Sequence, residues 1–180
     1  MIAVYPGSFD PPTLAHITLA EAAVRQAGVT RVDLVLSRRP LGKEGRPGPT
    51  ADQRAAVLLR VAAGIPWLRV EVVDARLIVD IAQGYDAVVM GADKWAQVVD
   101  PSWYGGSIVA RDAALARLPR LLVAPRAGEH PSSVAGAAGV TAAITALEVP
   151  PHLADVSSTR ARAGHRHLML PEAVESGLWP

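Results

Sequence analysis

The chain has 180 residues, of which half are apolar, with 18 basic and 17 acidic side chains and no cysteine. This length favours one domain, residues 1–180, and the apolar content supports a sizeable core, which excludes a disordered chain. The lack of cysteine excludes disulfides, thiolate catalysis and cysteine-ligated metals. A net charge of +1 provides no electrostatic case for a nucleic-acid partner. With neither a signal-peptide pattern nor an apolar run of roughly 18 residues, we expect a cytoplasmic protein without a membrane partner.

Short β-branched runs alternate along the chain with Ala/Leu/Arg-rich stretches of helical spacing. The runs predict strands covered on both faces, at residues 2–4, 31–36, 68–73, 86–90, 121–124 and 145–149. The stretches predict helices at 14–27, 51–63, 77–83 and 107–118, the second of them opened by a capping box at Thr50 and Gln53. The alternation predicts an α/β fold, a doubly wound, Rossmann-like parallel sheet in three α/β/α layers. Residues 37–49 are expected to form a mobile basic loop and 127–143 a surface connection.

The first candidate site is GSFDPPTLAH at residues 7–16, directly after the first predicted strand, where open α/β sheets bind ligands. Gly7 permits close backbone approach. Thr13 and His16 share a face at a helix start, where unpaired N–H groups favour an anion. A hydroxyl and an imidazole there indicate phosphate ligands. The alternative, a capping threonine and an ordinary helix-face histidine, is equally compatible with the spacing.

The second candidate site is VSSTRAR at residues 156–162, where hydroxyls open a predicted helix. Ser157, Ser158 and Thr159 are typical capping residues, which is the simpler interpretation. However, Arg160 and Arg162 in a first turn oppose the helix dipole unless an anion is present. A triphosphate would supply that anion through charge-assisted hydrogen bonds, and the pattern therefore favours phosphate binding.

A weaker candidate is Gly91-Ala92-Asp93, which follows the fourth predicted strand and precedes Trp95 and Trp103. A carboxylate at a strand end can hold a ribose hydroxyl, and a tryptophan can stack on a ring. The alternative is a capping aspartate with buried tryptophans.

The first two stretches resemble the signatures of the nucleotidyltransferase superfamily related to class I tRNA synthetases, written GSFDP with T/H-x-G-H and I-S-S-T-x-x-R. The resemblance spans nearly the whole chain. Gly91-Ala92-Asp93 with Trp103 resembles the G-x-D…W element of nicotinate or nicotinamide mononucleotide adenylyltransferases, and residues 125–128, PRAG, resemble their R-x-G turn. Two positions depart from the pattern: Ala15 replaces the usual Gly, and Thr13 stands where pyridine-nucleotide members often have His.

The resemblance implies transfer of AMP from ATP to a phosphate-bearing acceptor, nicotinate or nicotinamide mononucleotide, with release of pyrophosphate in NAD biosynthesis. It implies Mg²⁺ bound through the nucleotide phosphates, without protein metal ligands. His16, with Thr13 beside it, would stabilise charge on the α-phosphate, and Arg162, together with Arg160, would neutralise the leaving pyrophosphate. The implied nucleotide contacts are Gly7, Ser8, Phe9, His16, Gly91, Asp93, Ser157, Ser158, Thr159 and Arg162. The implied acceptor contacts are Lys43, Arg54, Trp103 and Arg126.

Other functions stay open at this point. Cytidylyl transfer from CTP, or adenylyl transfer to a phosphate such as phosphopantetheine, fits the same motifs because their spacing does not reveal base contacts. A non-catalytic nucleotide-binding protein with the same pocket is the alternative of a different class. A tRNA-synthetase-like role is disfavoured, because the chain has no room for a tRNA-binding domain. The sequence is compatible with a homo-oligomer.

Overall fold

Six parallel strands form one sheet in the computed structural model, which describes residues 1–42, 45, 47–125, 140–153 and 155–179. Their spatial order is β3-β2-β1-β4-β5-β6, so the winding direction reverses between β1 and β4. The strands are β1 (Ile2–Pro6), β2 (Arg31–Ser37), β3 (Leu68–Val73), β4 (Ala87–Gly91), β5 (Arg120–Ala124) and β6 (Ile144–Ala146). The doubly wound parallel sheet predicted from the alternating pattern is confirmed.

Helices connect the strands and cover both faces of the sheet. The α-helices are α1 (Leu14–Ala27), α2 (Ala51–Ala62), α3 (Ile78–Ile81), α4 (Ala92–Val98), α5 (Ile108–Leu115), α6 (Ser158–Arg162) and α7 (Pro171–Ser176). Short 3₁₀ helices lie at Pro101–Tyr104, Pro151–Leu153 and Arg166–Leu168. The first helix has the predicted limits, and the predicted capping box opens the second, because Thr50 and Gln53 exchange side-chain-to-backbone hydrogen bonds of 3.2 and 2.8 Å.

Several features differ from the sequence prediction. The helices predicted at 77–83 and 107–118 are shorter in the structure, where they are α3 and α5, and α7 was not predicted. β6 ends at Ala146 instead of residue 149, because the N–H of Glu148 leaves the sheet ladder and donates to Gln26 Oε1 at 2.8 Å. α4, which the sequence analysis did not predict, starts directly where β4 ends and buries Trp95 to 1% exposure. The expected surface connection at 127–143 lies largely outside the described residues.

The side chains of the four central strands, β2, β1, β4 and β5, alternate between two apolar cores, one on each face of the sheet, whereas the edge strand β3 exposes Arg69 and Glu71, so the prediction of strands covered on both faces is wrong there. In β1, Tyr5 faces the core formed with α1 and α2, whereas Val4 faces the core formed with α3, α4 and α5. A third, smaller cluster joins Val57 of α2 to Val156, Ala161 and Trp179 of the C-terminal segment. This cluster anchors residues 156–179 beside the end of β1, which places the second sequence motif near the first. Among the described residues, no helix has the length and apolar character needed to cross a bilayer.

Candidate active site

Three adjoining cavities open at the carboxyl ends of β1, β2 and β4, beside the point where the strand order reverses. The polar cavity measures about 300 Å³. All of the residues that the resemblance assigns to the nucleotide line it, namely Gly7, Ser8, Phe9, His16, Gly91, Asp93, Ser157, Ser158, Thr159 and Arg162. The apolar cavity, about 100 Å³, lies between Leu41, Ile78 and Trp103, and the basic cavity, about 520 Å³, is lined by Arg38, Arg39, Arg54 and Arg76. Ser8 lines all three cavities.

The two sequence motifs are bonded to each other directly. Ser158 Oγ donates to the carbonyl of Pro11 at 2.8 Å. The Arg162 guanidinium donates to the backbone carbonyl of Asp10 and approaches its carboxylate at 3.4 Å. Trp179 completes this network, since its indole Nε1–H donates to Asp10 Oδ1 at 2.7 Å. These bonds join residues more than 140 positions apart in the chain and hold Ser158 and Arg162 at the polar cavity, beside Gly7, Ser8 and Phe9 of the first motif.

His16 is held in one ring orientation by the start of its own helix. Its Nδ1 accepts the backbone N–H of Thr13 at 2.9 Å and lies 2.9 Å from the Thr13 hydroxyl. An Nδ1 that accepts a hydrogen bond places the proton of the neutral imidazole on Nε2. The ring also packs edge-on against Phe9, with 5.0 Å between ring centroids. The imidazole at the wall of the polar cavity is therefore an oriented Nε2–H donor.

Thr13 itself corrects the sequence interpretation, which placed it in the catalytic machinery. Its side chain is 0% exposed and does not line the polar cavity. Because its N–H and hydroxyl both meet His16 Nδ1, Thr13 is a positioning residue for the imidazole.

Gly7 and Phe9 shape the same wall from inside. A Cβ at Gly7 would lie 2.7 Å from the Phe9 ring, so glycine is required here by the packed ring. The Phe9 side chain is 1% exposed and supports the imidazole of His16. A ligand in the cavity would meet the backbone of these two residues.

The second motif serves both as a helix cap and as a cavity wall. Ser157 caps α6 by accepting the Arg160 N–H at 3.2 Å, as the simpler interpretation of the sequence expected. The helix has only five residues, so Arg162 lies in its last turn and the dipole argument used for the sequence does not apply. Arg160 is exposed, donates to the Asp155 carbonyl at 3.1 Å and lines none of the three cavities. The expected role of Arg160 at a leaving group is therefore not supported by its position, whereas Arg162 faces the polar cavity.

Of the residues assigned to the acceptor, the two that the structure describes, Trp103 and Arg54, line different cavities. Trp103 lines the apolar cavity. Arg54 lines the basic cavity but is 7% exposed, and it donates to the backbone carbonyls of Ser8 and, at 3.2 Å, Pro49. Burial lowers the pKa of its guanidinium, and the nearby Asp10 carboxylate opposes this effect. Arg54 therefore mainly braces the loop at the end of β1. Lys43 and Arg126 lie outside the described residues.

Sequence reasoning did not identify Lys94, Gln97 or Tyr104 as site residues. Lys94 and Gln97 line both the polar and the apolar cavity, and Tyr104 lines the apolar cavity beside Trp103. The sequence feature that could have identified Lys94 and Gln97 is their separation by three positions, which places both side chains on one face of a helix. Trp95, in contrast, lies on the buried face of α4, which excludes it as a stacking surface for a ligand.

The donor set around the polar cavity is suited to magnesium held through a ligand. Within the described part of the chain, no cluster of three or more His, Asp or Glu side chains could bind a metal ion. Asp93 is the carboxylate that lines the polar cavity, beside the hydroxyls of Ser157, Ser158 and Thr159. Magnesium accepts one or two carboxylates together with phosphate oxygens and water, so these residues fit an ion that arrives with a nucleotide.

Comparisons with known proteins agree with this geometry. A family model described as cytidylyltransferase-like matches residues 4–164. The probable nicotinate-nucleotide adenylyltransferase of Anaeromyxobacter dehalogenans is 30% identical over 186 residues, which cover 96% of this chain and 94% of that protein. The phosphopantetheine adenylyltransferase of Deinococcus radiodurans is 35% identical over 92 residues, 51% of this chain and 53% of that protein. In the alignments with three relatives, two of them phosphopantetheine adenylyltransferases and one a probable nicotinate-nucleotide adenylyltransferase, the chain covers only 31% to 54% of the relative's length.

A solved structure shares the fold over nearly the whole chain. The Plasmodium falciparum nicotinic acid mononucleotide adenylyltransferase complexed with NaAD superposes with a TM-score of 0.70 at 12% identity, covering 97% of this chain and 93% of that one. The chain therefore shares the fold of this adenylyltransferase.

Proposed function

Because the chain belongs to the cytidylyltransferase-like family, we propose that it transfers AMP from ATP to the phosphate of nicotinate or nicotinamide mononucleotide and releases pyrophosphate. The observation that carries the proposal is the meeting of both motifs in one polar cavity, where an imidazole, the hydroxyls of Ser157 and Thr159 and a guanidinium converge, whereas the Ser158 hydroxyl donates to Pro11. These groups match the charge and hydrogen-bonding needs of a triphosphate. Relatives with the name nicotinate-nucleotide adenylyltransferase support the choice of acceptor.

The reaction that this site suits is an in-line displacement at phosphorus. An oxygen of the acceptor phosphate attacks the α-phosphorus, the bond from that phosphorus to the bridging oxygen breaks, and pyrophosphate leaves with the electron pair. The nucleophile is already anionic, so the site needs no general base. Catalysis then depends on positioning and on stabilising negative charge.

Each wall of the polar cavity has a role in this reaction. The Nε2–H of His16 donates to a non-bridging oxygen of the α-phosphate, where charge develops. The hydroxyls of Ser157 and Thr159 and the guanidinium of Arg162 bind the β- and γ-phosphates. Asp93 accepts hydrogen bonds from ribose hydroxyls. Magnesium, when bound with the nucleotide, neutralises phosphate charge and so improves the leaving group.

The apolar cavity is the proposed acceptor site. It adjoins the polar cavity through Ser8, Lys94 and Gln97, and Trp103 and Tyr104 offer flat surfaces for a pyridine ring. Phosphopantetheine is the second candidate acceptor, since relatives with that name align with about half of the chain and the cavity also has aliphatic walls, Leu41, Leu77 and Ile78.

A pyrophosphate-release assay tests the proposal. ATP or CTP is supplied with Mg²⁺ and nicotinate mononucleotide, nicotinamide mononucleotide or phosphopantetheine, and each nucleotide without acceptor serves as the control. We expect acceptor-dependent release with ATP and a mononucleotide. Release that requires CTP in place of ATP would indicate a cytidylyltransferase, and release only when phosphopantetheine is the acceptor would indicate a phosphopantetheine adenylyltransferase. Binding of ATP without release for any acceptor would indicate a non-catalytic nucleotide-binding protein. Cytoplasmic location and homo-oligomerisation stay predictions.

A further inference from the structure

Lys94 lies where the polar cavity and the apolar cavity meet. It follows Gly91-Ala92-Asp93 in α4, and its side chain lines both cavities. Gln97, one turn later, also lines both, and its Oε1 accepts a hydrogen bond from Lys94 Nζ at 2.7 Å. We propose that the Lys94 ammonium contacts the two phosphates between which the new bond forms, the α-phosphate of the nucleotide and the phosphate of the acceptor. This inference deepens the proposed function and rests on it.

The surroundings of Lys94 suit a cation that receives an anionic ligand. Its side chain is partly buried, and desolvation lowers the pKa of the ammonium, with Asp93 opposing the shift. Among the ion pairs of the described residues, none includes Lys94, and its hydrogen-bond partner Gln97 is neutral. A partly desolvated ammonium without a bonded carboxylate is unfavourable. Phosphate oxygens in the cavity would supply the missing negative charge.

Position separates Lys94 from the other cations of the site. His16 and Arg162 line the polar cavity but not the apolar one, and Arg76 lines the apolar cavity but not the polar one. Lys94 borders both, at the place that an acceptor phosphate must occupy if its ring lies against Trp103. Two anionic phosphates repel each other as the bond forms, and an ammonium between them offsets a repulsion that is largest in the transition state.

The test compares Lys94→Met, which keeps an unbranched side chain only one atom shorter and removes the charge, with Lys94→Arg. Arg25→Met, which removes an exposed cation from α1 outside the three cavities, is the matched control. We expect Lys94→Met to lower kcat/KM for the acceptor by about 100-fold, the range for loss of one preorganised charge contact. The KM for ATP should change by less than about threefold, because the triphosphate contacts of the second motif are retained. Lys94→Arg should recover part of the loss, and Arg25→Met should match the wild-type protein.

Binding of the dinucleotide product provides a readout that does not require turnover. Nicotinic acid adenine dinucleotide contains both phosphates, and calorimetry should show that Lys94→Met binds it at least about tenfold more weakly than the wild-type protein does. If the wild-type protein turns over but Lys94→Met keeps its acceptor kcat/KM and its affinity for the dinucleotide, the inference is overturned and the proposed function stands. If no acceptor is turned over but the dinucleotide binds in a Lys94-dependent way, the proposed function fails and the contact stands. Absence of both turnover and dinucleotide binding overturns both.

Discussion

Replacing His16 with alanine removes two interactions that belong to opposite sides of one ring. On one side, Nδ1 accepts the backbone N–H of Thr13 at 2.9 Å. On the other side, Nε2–H is the donor that we place against the α-phosphate. Loss of one preorganised donor to a transition state costs about 10²- to 10³-fold in kcat. Loss of the bond to Thr13 leaves an N–H at the helix start without its acceptor, at a cost of about 1 kcal/mol, or roughly 2–4 °C in Tm for a chain of this length.

A second variant, His16→Asn, separates the two effects. The asparagine Oδ1 lies near the place of Nδ1 and can accept the Thr13 N–H, but the side chain is too short to replace Nε2–H. We expect His16→Asn to recover most of the Tm that His16→Ala loses, while kcat stays reduced by about 10²-fold or more. Pyrophosphate release under saturating substrates and thermal unfolding monitored by circular dichroism measure the two quantities. A His16→Asn protein with wild-type kcat would refute the assignment of Nε2–H to the reaction.

Three further perturbations probe other parts of the site. Gly42→Ala should raise the KM for the acceptor several-fold, because a Cβ at Gly42 would lie 2.6 Å from the indole of Trp103 and displace it. Gly42 has a φ of +71°, so Gly105→Ala, with a φ of +67° and no atom within 4 Å of its Cβ, is the control for backbone strain. Equal effects of the two variants on KM would contradict the role of the contact. Arg162→Ala should raise the KM for ATP by about tenfold or more, because a charge-assisted contact is lost. Arg160 is exposed and lies outside the cavities, so Arg160→Ala should leave the KM for ATP unchanged. Steady-state kinetics with the same KM for both variants would show that Arg162 does not bind the triphosphate. Chelation of Mg²⁺ by EDTA should abolish pyrophosphate release and restored Mg²⁺ should recover it, whereas full activity in EDTA would show that the protein cations suffice.

Features that depend on neighbours in the chain were predictable from the sequence. Hydrophobic periodicity and capping residues specify a helix within a few positions, and so α1 and the capping box at Thr50 were predicted correctly. β-branched runs likewise marked the strands, and their alternation with helices implied a doubly wound parallel sheet. Because the carboxyl ends of parallel strands share an edge, the segments after β1 and β4 line one cavity. The second motif joins them only through the contacts of the C-terminal segment.

Features that depend on contacts between distant segments were decided only by the tertiary structure. Thr13 and Arg160 carry the right chemistry in the sequence, but packing buries the first and leaves the second outside the cavities. Arg54 is fixed by backbone carbonyls that its helix reaches only after folding. Lys94 stands between two cavities because α4 packs against the sheet through Trp95. A local sequence pattern determines which functional groups are present and which helix, strand or loop carries them. The burial, orientation and partners of those groups depend on side chains from distant parts of the chain, and no short stretch of sequence encodes these contacts.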